Sequence, residues 1–158
     1  MPVTTDIIES WHRPRAVVAR LMARGPSEAF AFALLLAFLT LALVAVAPEL
    51  ARQAWVKGDE ALMPRVYAAT LGLLATIPLW YLLAALGHLA ARALGGKGGF
   101  YGGRLALFWS LLAVSPAMLV QGLMRGFGGS GPLTTLFGLC VLAGFLALWF
   151  LALWEVER

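Results

Sequence analysis

The chain has 158 residues, of which 61% are hydrophobic and 13% charged, with a formal charge of +4. An ordinary soluble domain carries about 25% charged residues, and one of this length needs a polar shell that these residues cannot supply. The composition excludes a soluble globular enzyme, a disordered chain and a disulfide scaffold, and leaves an integral membrane protein built of helices. The single cysteine, Cys140, sits in an apolar run and has no second cysteine to pair with.

The chain opens with an amphipathic arm, residues 1–25, ahead of a transmembrane domain over 26–158. The first residues lack the basic-then-apolar order of a cleavable signal peptide, so the first long apolar run is read as retained. Asp6 is placed to cap a short helix, with Glu9 as its capping-box partner. Pro14 ends that helix and starts another. On a helical wheel Arg13, Arg20 and Arg24 share one side, and Ile7, Trp11, Val18 and Met22 the other. This pattern predicts a helix lying in the membrane interface, with Trp11 at headgroup depth and the arginines on the phosphates of anionic lipids. Packing on the protein's own loops, or on a partner, are the alternatives.

A bilayer core about 30 Å thick takes roughly 20 apolar residues of helix. Four runs satisfy this: 29–47, 66–91 with room to continue to 94, 105–124 and 133–154. None alternates as a barrel strand would. Ser27 is placed to cap the first span, and Glu28 suits its first turn. Pro48 is read as the start of a short separate helix containing Trp55 and ended by Gly58-Asp59. Pro64 and Pro132 stand where helices begin. Pro78 and Pro116 lie inside spans and predict kinks. The fold class expected is an all-α four-helix transmembrane bundle with an N-terminal interfacial arm.

Eight of the twelve Lys and Arg residues fall on the side of the arm, the connection between spans two and three, and the C-terminus. That excess predicts both termini in the cytoplasm. Abundant Ala, Leu, Gly and Arg suit a GC-rich bacterial genome, hence a bacterial inner membrane. The basic residues lie beside apolar runs, which points to lipid headgroups as partners and not to nucleic acid.

Chemistry is sparse. Every Asp, Glu, Lys and Arg lies outside the four cores, whereas intramembrane catalysis and transport usually need ionisable groups there. His88, near the cytoplasmic end of the second span, is read as an interfacial histidine; a proton relay or metal ligand is the sharper alternative. Two separated histidines and one distant cysteine make no metal-ligand spacing, and no cofactor motif is present. Ser110 and Ser115 lack a catalytic base and are expected to bond back to helix carbonyls. Gln121 either bonds to another helix or lines a polar cavity. Small residues four apart (Gly87 and Ala91, Gly122 and Gly126, Ala143 and Ala147) predict close helix packing, mostly within the chain, with self-association as the alternative.

The most distinctive segment is Gly95-Gly96-Lys97-Gly98-Gly99-Phe100-Tyr101-Gly102-Gly103-Arg104. No Lys-Ser or Lys-Thr follows and no strand precedes it, so it is not a P-loop. It is expected to be a tight cytoplasmic turn with Lys97 near lipid and Phe100 and Tyr101 dipping into the interface. A long helix, then Gly-Gly-Lys-Gly-Gly-Phe, then a span carrying Pro116, resembles the YIP domain family over roughly residues 26 to 154. The resemblance implies an all-helical membrane bundle with no known catalytic activity. Its eukaryotic members bind Ypt/Rab GTPases in vesicle traffic. This chain departs from them in having four spans and not five, and a short basic arm in place of the acidic region with its Tyr-Gly-Pro signature. The Rab-binding inference therefore does not carry over. The expected function is a non-enzymatic scaffold or accessory factor acting through lipid and membrane-protein contacts. The rival is a small oligomeric transporter or channel with Pro78, Pro116, Gln121 and His88 around a cavity.

Overall fold

The structure is a computed structural model that describes residues 3–58 and 62–158. Among the described residues there are seven helices and no strand: α1 (Val3–Ser10), α2 (Pro14–Met22), α3 (Glu28–Lys57), α4 (Leu62–Ala75), α5 (Ile77–Ala93), α6 (Phe100–Gly128) and α7 (Pro132–Val156). Four stretches are long and apolar enough to cross a membrane: α3, α4 with α5, α6 and α7. The all-α membrane bundle read from the sequence is what the chain forms.

Local signals explain most helix ends. The Ser27 hydroxyl accepts from the Phe30 amide and caps α3. Pro14 and Pro132 open α2 and α7, where the missing N–H has no helical acceptor to lose. Gly58 closes α3 at φ +61°, a backbone state that side chains resist; its expected companion Asp59 lies outside the described residues.

Several expectations need correction. Asp6 does not cap the first helix, because α1 already begins at Val3. Pro48 does not begin a helix; α3 runs through it for 30 residues. The proline ring lies in the groove over Gly126 of α6, so packing stabilises the turn that the lost hydrogen bond would weaken. The second span is two helices broken at Thr76, with Pro78 second in α5. The Thr76 hydroxyl donates to the Leu73 carbonyl at 2.6 Å and accepts from the Trp80 indole at 3.0 Å, which holds the break. Phe100 and Tyr101 are not in a turn; they form the first turn of α6.

The main axis of packing is α3 along α6. A side chain at Gly122 would run into the backbone of Ala45, so the two helices touch backbone to backbone there. Leu34, Leu35, Phe38 and Leu39 of α3 meet Leu105, Phe108 and Leu112 of α6 in the core. From Gly102 to Ser115 every residue of α6 except Arg104 is buried. Half of this helix is thus wrapped on all sides, by α3, α5, α7 and the arm. The other half exposes Val120, Leu123 and Phe127. By contrast α4 has no buried residue and leans chiefly on α3.

The arm is the largest departure from expectation. It does not lie flat beside the bundle, because α1 and α2 form a hairpin docked on α6 and α7. Val17, Val18 and Leu21 are buried in the main core. The apolar stripe of the arm is therefore spent on protein, and its basic side faces outward.

Candidate functional site

Two polar constellations stand out within this apolar frame. The first is a clasp at the end of the bundle that carries the glycine-rich connection. Near its C-terminal end α5 presents His88, which is fully buried because Gly103 of α6 has no side chain; a Cβ there would stand 2.9 Å from the His88 Cβ. The Phe100 ring covers the imidazole at 4.4 Å between centroids. His88 Nδ1 donates to Glu157 Oε1 at 2.5 Å, and the Gly98 amide donates to Glu157 Oε2 at 3.0 Å. Both carboxylate oxygens are thus engaged. The Lys97 amide adds a bond to the Glu157 carbonyl at 2.8 Å. Close approach at Gly98 is obligatory, because a Cβ would collide with the Val156 carbonyl. Neither His88 Nε2 nor the Tyr101 hydroxyl has a hydrogen-bond partner among the described residues.

The clasp ties the end of α5 and the glycine-rich connection that follows it to Glu157, 69 residues beyond His88. Its chemistry is that of a hydrogen-bonded imidazole and carboxylate in a dry setting, which fixes geometry strongly. The histidine was visible in the sequence, at the edge of a span. Its partner was not, since Glu157 follows the last span 69 residues on. The one available signal was that both residues fall on the same side of the expected topology.

The second constellation is in the arm. Arg20 grips Glu9 through two nitrogens at 3.1 and 2.6 Å and reaches Asp6 at 2.8 Å. The hydrogen bond from Arg20 holds the Glu9 carboxyl below the usual 4.5, and the reciprocal bond raises the Arg20 guanidinium. The Ser10 hydroxyl donates to the Asp6 carbonyl and accepts from the Trp109 indole at 2.9 Å. The Trp11 indole donates to the Ala113 carbonyl at 3.1 Å, and its ring lies against Gly144 of α7. Trp11 thus bridges two spans.

The other expected residues are dispersed. Arg13 is exposed at the turn of the hairpin. The Arg24 guanidinium sits 5.9 Å from the Phe30 ring centre. Lys97 is exposed in the clasp loop. Pro116 is exposed where α6 leaves the core, and α6 passes through it unbroken. The Gln121 amide lies against Gly138 of α7. Gln121 and His88 belong to opposite ends of the bundle, so the structure does not bring them round one cavity. A cavity of about 90 Å³ lies instead between α3 and α4, lined by Leu36, Thr40, Leu43, Thr70 and Leu74 among others. The Thr40 and Thr70 hydroxyls are already bonded to the carbonyls of Leu36 and Val66. Ser110 and Ser115 bond back to Ala106 and Leu112, as the sequence suggested.

Among known protein families, the Yip1 domain model matches residues 8–157. The chain belongs to the Yip1 domain family. The matched stretch extends beyond the four spans of this Yip1 protein: it takes in most of the arm and ends on Glu157. The clasp lies wholly within the matched residues, and the arm constellation does so except for Asp6. No curated protein and no solved structure matches the chain.

Proposed function

We propose that this Yip1-family protein is a non-enzymatic scaffold or accessory factor of a bacterial inner membrane, with both termini in the cytoplasm. The observation that carries this reading is the nakedness of α4. A 14-residue helix with no buried side chain presents Met63, Tyr67, Leu71 and Leu74 outward. Most of the helix packing is α3 on α6 and α6 on α7. A face this apolar within the membrane suits a helix of a partner protein. The paired state of most polar groups also favours interaction over chemistry. His88 bonds Glu157, and Arg20 bonds Glu9 and Asp6, as scaffolding groups do.

The test is site-specific photo-crosslinking from Leu71 in native membranes, compared with Leu139 on α7. A discrete adduct to one membrane protein from Leu71 is expected. Solute flux through liposomes containing only this protein would overturn the reading in favour of a transporter. An active alkaline phosphatase fused at the C-terminus would reverse the orientation.

A further inference from the structure

The depth of the arm's turn has a chemical consequence. Ala113, which accepts the Trp11 indole, lies 13 residues from the first residue of α6 and 15 from the last. At about 1.5 Å per residue this is the middle of the helix. Gly144, on the other side of the Trp11 ring, is likewise mid-way along α7. At the opposite end of the hairpin Met22 reaches Gly102, in the first turn of α6. The hairpin therefore descends from the end of the bundle to its mid-height and returns, and never crosses.

The turn carries His12, Arg13 and Arg15, all exposed. Arg15 has no ion-pair partner among the described residues, and Arg13 has only the nearby charge of Glu9. The outward side of α2 continues with Ala16, Ala19, Arg20 and Ala23, and ends at Arg24. Around the same height α7 shows lipid an ordinary apolar surface, with Leu146 and Phe150 exposed. Guanidinium groups at the centre of a hydrocarbon layer are strongly disfavoured without water or phosphate. Arg15 lies seven residues below Met22 on α2, about 10 Å, which is farther than a guanidinium reaches from its own backbone.

We propose that the outer face of the arm is a half-membrane furrow that draws water and the phosphate groups of anionic phospholipids down to the bilayer centre, where Arg13 and Arg15 bind them. The bilayer is locally thin on this flank of the bundle and of normal thickness on the flank formed by α4 and α5. The inference rests on the membrane-spanning architecture and not on the existence of a protein partner. The small side chains at Ala16, Ala19 and Ala23 leave room for headgroups beside the arginines.

Two measurements in nanodiscs test it. In a Cys140→Ser background, Arg15→Cys should react with a membrane-impermeant maleimide at least about tenfold faster than Leu146→Cys, which faces lipid at similar height. From nanodiscs of mixed phosphatidylcholine and phosphatidylglycerol, native mass spectrometry should find bound phosphatidylglycerol. Its retention should fall about fivefold for each arginine removed in Arg13→Gln and Arg15→Gln, and stay unchanged in Arg125→Gln at the other end of the bundle. These residues are exposed, so folding is checked by an unchanged melting temperature. Equal reactivity of the two cysteines would overturn the furrow. Fast labelling with unchanged lipid retention would overturn the phosphate site. A disulfide-linked dimer through Arg15→Cys would show a second copy covering the turn and overturn both. None of these outcomes bears on crosslinking from Leu71, so the two readings fail separately.

Discussion

Removing the carboxylate of Glu157 isolates the clasp. Glu157→Ala leaves His88 with no hydrogen bond on either nitrogen and strips the Gly98 amide of its acceptor, all in a region where His88 is 0% and Glu157 6% exposed. Two groups, the His88 imidazole and the Gly98 amide, lose their partner, at about 1–3 kcal/mol each. For a chain of this size that is a fall of about 10 °C in melting temperature. The assay is thermal unfolding in nanodiscs followed by intrinsic fluorescence, paired with trypsin digestion at Lys97, whose loop the carboxylate anchors through the Gly98 amide. The loop should be cut faster in the variant. His88→Leu combined with Glu157→Leu should recover the part of the loss that comes from the stranded imidazole, while the Gly98 amide still lacks its acceptor. A shift of under about 2 °C in Glu157→Ala would refute the reasoning. So would additive losses in the double variant, since groups that do not interact show no coupling.

Other expectations follow from the same contacts. Gly122→Ala should force α3 and α6 apart, because its new Cβ meets the Ala45 backbone and not a movable side chain; a loss of about 1–3 kcal/mol is expected by thermal unfolding. Ser10→Ala leaves the buried Trp109 indole without an acceptor and should destabilise by about 1–3 kcal/mol, with a change in tryptophan emission. Glu9 has its carboxyl lowered from 4.5 by Arg20, so its contribution is complete above that value and is lost as pH falls through the depressed one. Arm docking followed by tryptophan fluorescence should therefore weaken in acid below about pH 4.5, and in Arg20→Gln that dependence should shrink.

The spans were legible because charge-free apolar runs of membrane length have few other uses. The helix starts at Ser27, Pro14 and Pro132 were legible because capping and proline geometry act within one turn. What escaped the sequence depends on a distant partner. The periodicity of Val17, Val18 and Leu21 tells which side of the arm is apolar and not whether lipid or protein covers it. Pro48 resembles a helix start until Gly126, 78 residues later, is seen to receive its ring. His88 at the edge of a span looks interfacial until Glu157 closes over it. In each case a second segment makes the burial possible, and only the three-dimensional packing brings it near.

The position of Trp11 between α6 and α7 also orders assembly. The arm is made before the last span, yet its seat is half composed of Gly144 and the neighbouring stretch of that span. Until that final helix has entered the bilayer, the hairpin has nowhere to settle and its apolar stripe stays uncovered. The arm is therefore among the last parts to find its place, and an arrest of synthesis before residue 144 should leave it open to proteases.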